Sequence, residues 1–255
     1  MINFSSEFTI FKTILITILP WILVYFFGGT MCGACTKSEG TDSISNLKFY
    51  KTVESNSFYK ASLTREQFLF FELRTLARLI YDKGLSENEA VQSIIENNLF
   101  QYPTSRSLSR NANTCLRRLH SLGIDLAKML VHASVTTAKQ ICFYAMMKQH
   151  RLVRDFAVEI MGEKYRTHDF SYSKRDLNVF FMHLQNEDSR VASWSESTVQ
   201  KIKQVLNKAL CESGYIANTK SNQLQKILLD MNLERAIRKN GDETLLPAFN
   251  CFRTE

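Results

Sequence analysis

Beyond residue 58, apolar side chains recur every three or four positions, the spacing that gathers them on one side of an α-helix. Glycine and proline are scarce there, because four of the nine glycines and one of the three prolines lie in the first 40 residues. Few helix-breaking residues are therefore left for the rest of the chain. The pattern predicts an all-α fold.

Short capping motifs predict where the first helices begin. Thr64-Arg-Glu-Gln67 has the form of a capping box, which would open a first helix that ends at Lys83-Gly84. Ser86-Glu-Asn-Glu89 has the same form and predicts a short second helix. A third helix would follow, capped by Thr104 or Ser105.

At 100° per residue, the predicted third helix has an apolar side and a cationic side. The apolar side consists of Leu108, Ala112, Cys115 and Leu119. The opposite side consists of Arg106, Arg110, Asn113 and Arg117, flanked by Thr114 and Arg118. The apolar face of this helix is expected to pack against the core, and the cationic face to contact solvent or a partner.

A second helix with the same arrangement is predicted near the carboxyl end. Residues 126–132, 136–161 and 174–185 come first and predict further helices, with a possible break near His150. Ser195 would then cap a helix that Gly214 ends. Its apolar side consists of Val199, Ile202, Leu206, Ala209 and Leu210. Its polar side consists of Ser197, Lys201, Gln204 and Lys208. Residues 215–222 predict a strand and turn of a small wing, and residues 224–239 a final helix.

The charge is concentrated in this helical part. The formal net charge is +7, and residues 1–50 contain three basic and three acidic side chains, so the excess lies beyond them. Between Asn97 and Arg154 the one acidic residue is Asp125, against nine lysines and arginines. A solvated helix face usually mixes both signs, so this segment points to an anionic partner.

A three-helix unit with a cationic third helix is what a helix-turn-helix DNA reader needs, because the major groove admits one helix between flanking phosphates. Arginine can contact phosphate or read guanine, Asn113 and Gln204 have the geometry to read adenine, and Lys201 and Lys208 suit phosphate. The alternative is a basic surface without any nucleic-acid role, which many proteins have.

Motifs of common enzyme classes are absent from the sequence. It has no P-loop, no GxGxxG, no HExxH and no Glu-x-Lys. The five histidines do not pair with one another or with cysteines at metal-ligand spacing. We therefore expect no catalytic residues, no metal and no cofactor, and the scattered cysteines do not suggest a disulfide framework.

The first 57 residues form a separate problem. Residues 13–27 are apolar and uncharged but contain Pro20, and they follow a segment with little basic charge. Three interpretations remain open: a translation start at Met31, a membrane anchor over residues 9–27, or a signal peptide. Cys32-Gly-Ala-Cys35 falls in this segment, and a CxxC without a second pair is a weak metal or redox signal.

Four stretches of the chain resemble the BrxA family of the BREX bacteriophage-exclusion system. They are YKASLTREQFLFFELRTLARL (59–79), NLFQYPTSRSLSRNANTCLRRL (98–119), HRLVRDFAVEIMGEKY (150–165) and SESTVQKIKQVLNKALCESGYI (195–216). The resemblance covers most of the predicted helical part, and the last stretch is the most specific.

The resemblance implies a cytoplasmic, non-catalytic protein of phage defence that binds double-stranded DNA and acts with other BREX proteins. It implies an amino-terminal helix-turn-helix over residues 58–123, a helical hinge over 124–165 and a winged helix-turn-helix-like unit over 166–255, after a leader and linker over 1–57. A helical scaffold that docks other BREX components, or an RNA-binding protein, is the alternative. A membrane contact would require residues 9–27 to be a real anchor.

Overall fold

A computed structural model describes residues 58–252, and these residues are helical for most of their length. The α-helices are α1 Phe70–Tyr81, α2 Glu87–Glu96, α3 Ser105–His132, α4 Val135–Gln149, α5 Arg151–Asp155, α6 Glu163–Arg166, α7 Lys174–Glu187, α8 Ser189–Ala192, α9 Glu196–Ser213 and α10 Met231–Lys239. A π-helical segment, Phe156–Gly162, joins α5 to α6, and 3₁₀ turns span Ala61–Thr64 and Glu243–Phe249. The predicted all-α class is confirmed, and the predictions for residues 1–57 lie outside the described residues.

Several helix ends lie where the capping chemistry predicts them. Ser86 and Glu89 form a reciprocal capping box at the start of α2. The hydroxyls of Thr104 and Ser195 accept the backbone N–H groups of Ser107 and Thr198 and so cap α3 and α9. Gly214 ends α9 at φ 91°, a left-handed conformation that glycine adopts without steric cost.

The predicted capping box at Thr64 is wrong. Thr64 lies in the 3₁₀ turn and donates its hydroxyl to the carbonyl of Ala61, and α1 begins only at Phe70. Leu69, the residue before α1, is left-handed with φ 55°. The chain cannot continue as one helix through that residue, so residues 65–69 form a loop, called here the junction loop.

Helix α3 is longer than predicted and contains a break. It includes the helix expected over residues 126–132, and Gly123 interrupts it with φ 75° and ψ 169°. The break near His150 is confirmed, because α4 ends at Gln149 and His150 is extended. The division into three units at residues 123 and 165 stays a prediction.

The carboxyl-terminal part differs from the sequence prediction in two places. Ile216 pairs with Leu224, and Ser171 with Gln223, as isolated antiparallel bridges, so residues 58–252 contain no strand where one was expected. The final helix starts at Met231 and not at 224, because Asp230 caps it by accepting the N–H groups of Asn232 and Leu233. Leu228 lies outside that helix, and its carbonyl accepts a hydrogen bond from Gln140.

Helix α4 is the centre of the hydrophobic core, since nearly every residue from Thr137 to Met147 is buried. Helices α1, α2 and α3 pack together, and α3 also packs on α4. Helix α9 packs on α4 and on the 3₁₀ turn Ala61–Thr64. The amino-terminal turn is therefore held against a carboxyl-terminal helix. No helix within residues 58–252 has the length and apolarity that a membrane crossing requires.

Arg118 of α3 is fully buried and holds the junction loop. Its guanidinium donates to three consecutive carbonyls, those of Phe68, Gln67 at 2.7 Å and Glu66 at 3.4 Å. The Sγ of Cys142 on α4 also lies 3.2 Å from the Phe68 carbonyl oxygen. The loop has no helical hydrogen bonds for these carbonyls, so the guanidinium supplies the donors that they need.

We expect Arg118→Met to destabilise the fold by about 3 kcal/mol or more, because it leaves buried carbonyls without a donor. Arg118→Lys should cost less, since an ammonium keeps the charge but lacks the planar fork. Urea denaturation followed by circular dichroism measures both. A methionine variant as stable as the native chain would contradict this role.

Candidate nucleic-acid interface

The four residues of the predicted cationic side of α3 are all exposed: Arg106, Arg110, Asn113 and Arg117. The four residues of the predicted apolar side are all buried: Leu108, Ala112, Cys115 and Leu119. The two-sided character of this helix is confirmed. The exposed four are called the α3 row.

Members of the α3 row differ in how strongly they are held. Within residues 58–252, the side chains of Arg106 and Arg110 make no hydrogen bond or ion pair. The Arg117 guanidinium lies 3.3 Å from Glu66 Oε1 and 3.1 Å from Thr114 Oγ1. Asn113 donates its amide to the Ser109 carbonyl at 2.8 Å. Two arginines are thus free to meet a ligand, and the other two members have intramolecular partners.

The prediction that Arg118 belongs to this surface is wrong. Its side chain is 0% exposed and is used on the junction loop. Thr114, expected beside it, is buried too and donates its hydroxyl to the Arg110 carbonyl. The cationic face is therefore narrower on that side than the sequence predicts.

Helix α9 carries the second row, and its members are likewise exposed: Ser197, Lys201, Gln204 and Lys208. Its apolar side is buried: Val199, Ile202, Leu206, Ala209 and Leu210. Ser197 Oγ lies 3.0 Å from Oγ of the capping Ser195. Lys208 Nζ lies 3.3 Å from Gln67 Oε1 and 3.4 Å from Glu212 Oε1. These exposed four are called the α9 row.

The junction loop is the part of this surface that sequence reasoning missed. Glu66 contacts Arg117 of the α3 row and the buried His150, whose Nε2 lies 3.2 Å from Glu66 Oε2. The contact with His150 first, and the charges of Arg117 and Arg118 next, hold the pKa of Glu66 below its usual range. The sequence Thr64–Gln67 predicts a capping box, and no local sequence pattern distinguishes a capping box from a loop held by a distant arginine.

Two thiols and one histidine of the described part are buried or have a partner. Cys115 and Cys142 are buried, and burial raises the pKa of the Cys142 thiol to about 12. Such thiols are protonated at neutral pH and react poorly. His120 contacts Glu87 at 2.7 Å on the surface. Residues 58–252 contain no group of three histidines, cysteines or carboxylates placed to hold a metal ion.

The sequence comparisons lead to one family. The sequence model of BrxA matches residues 57–241, which include both rows. The "BREX protein BrxA" of Bacillus cereus (strain H3081.97) is 32% identical over 185 residues, covering 72% of this chain and 92% of that protein. The "BREX protein BrxA" of Escherichia coli O9:H4 (strain HS) is 25% identical over 175 residues, covering 69% and 82%.

The fold is similar to that of a solved structure. It is the crystal structure of an uncharacterized protein from Magnetospirillum magneticum, with a TM-score of 0.63 and 22% sequence identity. The similarity covers 75% of this chain and 97% of that one. The likeness concerns the fold alone.

The lowered pKa of Glu66 predicts how a variant responds to acid. A carboxyl whose pKa is lower in the folded chain contributes stability above its unfolded pKa of about 4.3, and that contribution is lost as the pH falls through the folded value. Glu66→Gln should therefore be less stable than the native chain at pH 7, and the gap should narrow below about pH 4. Urea midpoints at both pH values measure the gap. An equal gap at both would show that the charge of Glu66 contributes nothing.

Proposed function

The chain belongs to the BrxA family, and from that premise we propose that this component of BREX phage defence binds double-stranded DNA through the α3 and α9 rows. The relatives named as BREX proteins support the place in BREX. The DNA-binding role is supported by the surface itself. The observation that carries it is the pair of exposed polar rows, each backed by a buried apolar face.

The dimensions of the rows suit the major groove. Each row spans twelve residues, and its eleven steps of 1.5 Å give about 16 Å of helix. The groove is about 12 Å wide and admits one helix, whose side chains meet base edges and flanking phosphates. Among residues 58–252, Arg106 and Arg110 have no hydrogen-bond or ion-pair partner to give up, so they are the leading candidates for phosphate or guanine contacts.

The remaining row members have narrower roles. Lys201 and Lys208 suit phosphate, and Gln204 has the donor and acceptor geometry to read adenine. Asn113 would keep its amide on Ser109 and offer its oxygen, or exchange that bond for a base. Arg117 would exchange Glu66 for a phosphate. Helices α1 to α3 would form the first helix-turn-helix, and α7 to α9 the core of the second.

The setting follows from the same premise. We expect the protein to act in the cytoplasm, where duplex DNA is available, and to work with other BREX proteins.

A scaffold role in docking those proteins is the second candidate. Two strongly exposed apolar residues favour it, Leu228 at 88% and Met231 at 75%, because exposed apolar side chains often mark contact sites.

Replacing Arg106, Arg110 and Arg117 together by alanine should abolish salt-sensitive duplex binding. In the native chain, affinity should fall steeply with salt, because each phosphate contact releases counterions. Fluorescence anisotropy of a labelled random duplex between 50 and 300 mM salt measures this. The matched control removes three exposed charges outside both rows: Lys83→Ala, Lys128→Ala and Arg235→Ala.

Duplex affinity that does not change with salt, or that falls equally in the control, would contradict DNA binding by the rows. A complex with other BREX proteins that survives nuclease treatment and Arg117→Ala would then identify the scaffold role.

Duplex DNA should compete better than duplex RNA of the same sequence for the native chain. The major groove of A-form RNA is too deep and narrow for a helix, so a surface that places helices in a groove prefers B-form DNA. Competition against the labelled DNA at one salt concentration measures the preference. Equal or better competition by RNA would identify an RNA-binding protein.

A further inference from the structure

The two rows meet at the junction loop. Arg117, the last member of the α3 row, contacts Glu66, and Lys208, the last member of the α9 row, contacts Gln67. Both distances are 3.3 Å. Because Glu66 and Gln67 are consecutive, their Cα atoms are about 3.8 Å apart. Even with both side chains extended, the two cationic groups lie within about 20 Å of each other.

The loop that connects them is held firmly on its inner side. Arg118 and Cys142 bind its carbonyls, and the preceding 3₁₀ turn packs on α9. These contacts fix α3, α9 and the loop relative to one another. The rows are therefore two parts of a single packed body and not surfaces on independently moving units.

The outer side of the loop adds positive charge. Arg65 is exposed and its side chain makes no hydrogen bond or ion pair within residues 58–252. The carboxylate of Glu66 is mostly covered and is turned to Arg117 and His150, and its side chain is 18% exposed against 54% for Arg117. Glu212 offsets part of the charge of Lys208. The exposed balance at the junction is cationic.

We propose that the junction loop joins the α3 and α9 rows into one binding surface, so that Arg65, Arg117 and Lys208 contact phosphates of the same DNA duplex. The inference rests on the proposed function and deepens it. It assigns Arg65 a contact role that neither row contains, and it makes Glu66 and Gln67 the groups that hold Arg117 and Lys208 in position before DNA arrives.

The dimensions set the length of duplex that this surface needs. Two rows of about 16 Å and a junction of at most about 20 Å span at most about 52 Å. At 3.4 Å per base pair, a duplex of about 15 base pairs is therefore long enough to cover the whole surface. One chain should bind one such duplex, and all three cations should act on it together.

The test uses the full chain and a labelled 16-base-pair duplex, with stoichiometric titration and a salt series. The native chain should bind one duplex per chain. Arg65→Gln, Arg117→Gln and Lys208→Gln should each reduce the salt slope by about 0.9, which makes the loss of affinity between 50 and 200 mM salt about 3-fold smaller. Arg235→Gln on α10 is the matched control and should leave the slope unchanged. Thermal unfolding of Arg65→Gln and Lys208→Gln should match the native chain, because these side chains are exposed. Arg117→Gln should lower the unfolding midpoint only by the loss of its contacts with Glu66 and Thr114.

Other outcomes separate the two proposals. Two duplexes bound per chain, with Arg117→Gln or Lys208→Gln each removing one of them, would overturn the joined surface and leave DNA binding intact. A slope that responds to Arg117→Gln alone would likewise overturn it. No salt-dependent binding by the native chain would overturn the proposed function and this inference with it.

Discussion

The structure depends on the burial of one cation, the guanidinium of Arg118. Removing the guanidinium from water costs free energy, and the carbonyls of residues 66–68 offset that cost by accepting its hydrogen bonds. Those carbonyls are available because the chain forms a loop there and starts α1 only at Phe70. The same loop places the side chain of Glu66 against Arg117 and that of Gln67 against Lys208. A core interaction on the inside of α3 thereby positions the groups on its outside.

Surface charge follows from how α3 and α9 pack on the centrally buried α4. Each helix uses its apolar side on the core, so the polar rows must face outward. In the part of the chain that the structure describes, two acidic side chains pair with row members: Glu66 with Arg117, and Glu212 with Lys208. Arg106 and Arg110 lie farther along α3 from the junction and have no acidic partner within residues 58–252. At the junction loop the charges of Arg117 and Lys208 are therefore partly neutralised, whereas those of Arg106 and Arg110 are not. A surface with this excess of positive charge suits a polyanion.

Local chemistry made much of this fold predictable. Ser86, Thr104, Ser195 and Gly214 act through bonds within a few residues, so their sequence signals identify the helix ends correctly. Exposure of the two rows follows from helical spacing alone. The burial of Arg118 does not follow from that spacing, because this residue lies 100° from the exposed Arg117 and 100° from the buried Leu119. Its hydrogen-bond partners are about fifty residues away in sequence. The prediction of a capping box at Thr64 is wrong for the same reason, since the loop is stabilised by a guanidinium that is distant in sequence.

Hydrogen–deuterium exchange of the full chain, with and without a saturating 16-base-pair duplex, tests the central claim most directly. If α3, α9 and the junction loop form one DNA-binding surface, the duplex should slow exchange in residues 65–69, 104–118 and 195–210 together. Residues 232–239 of α10, which belong to neither row nor to the junction loop, should not change. Slower exchange confined to α2 or to the segment 225–231, or no change anywhere, would contradict it.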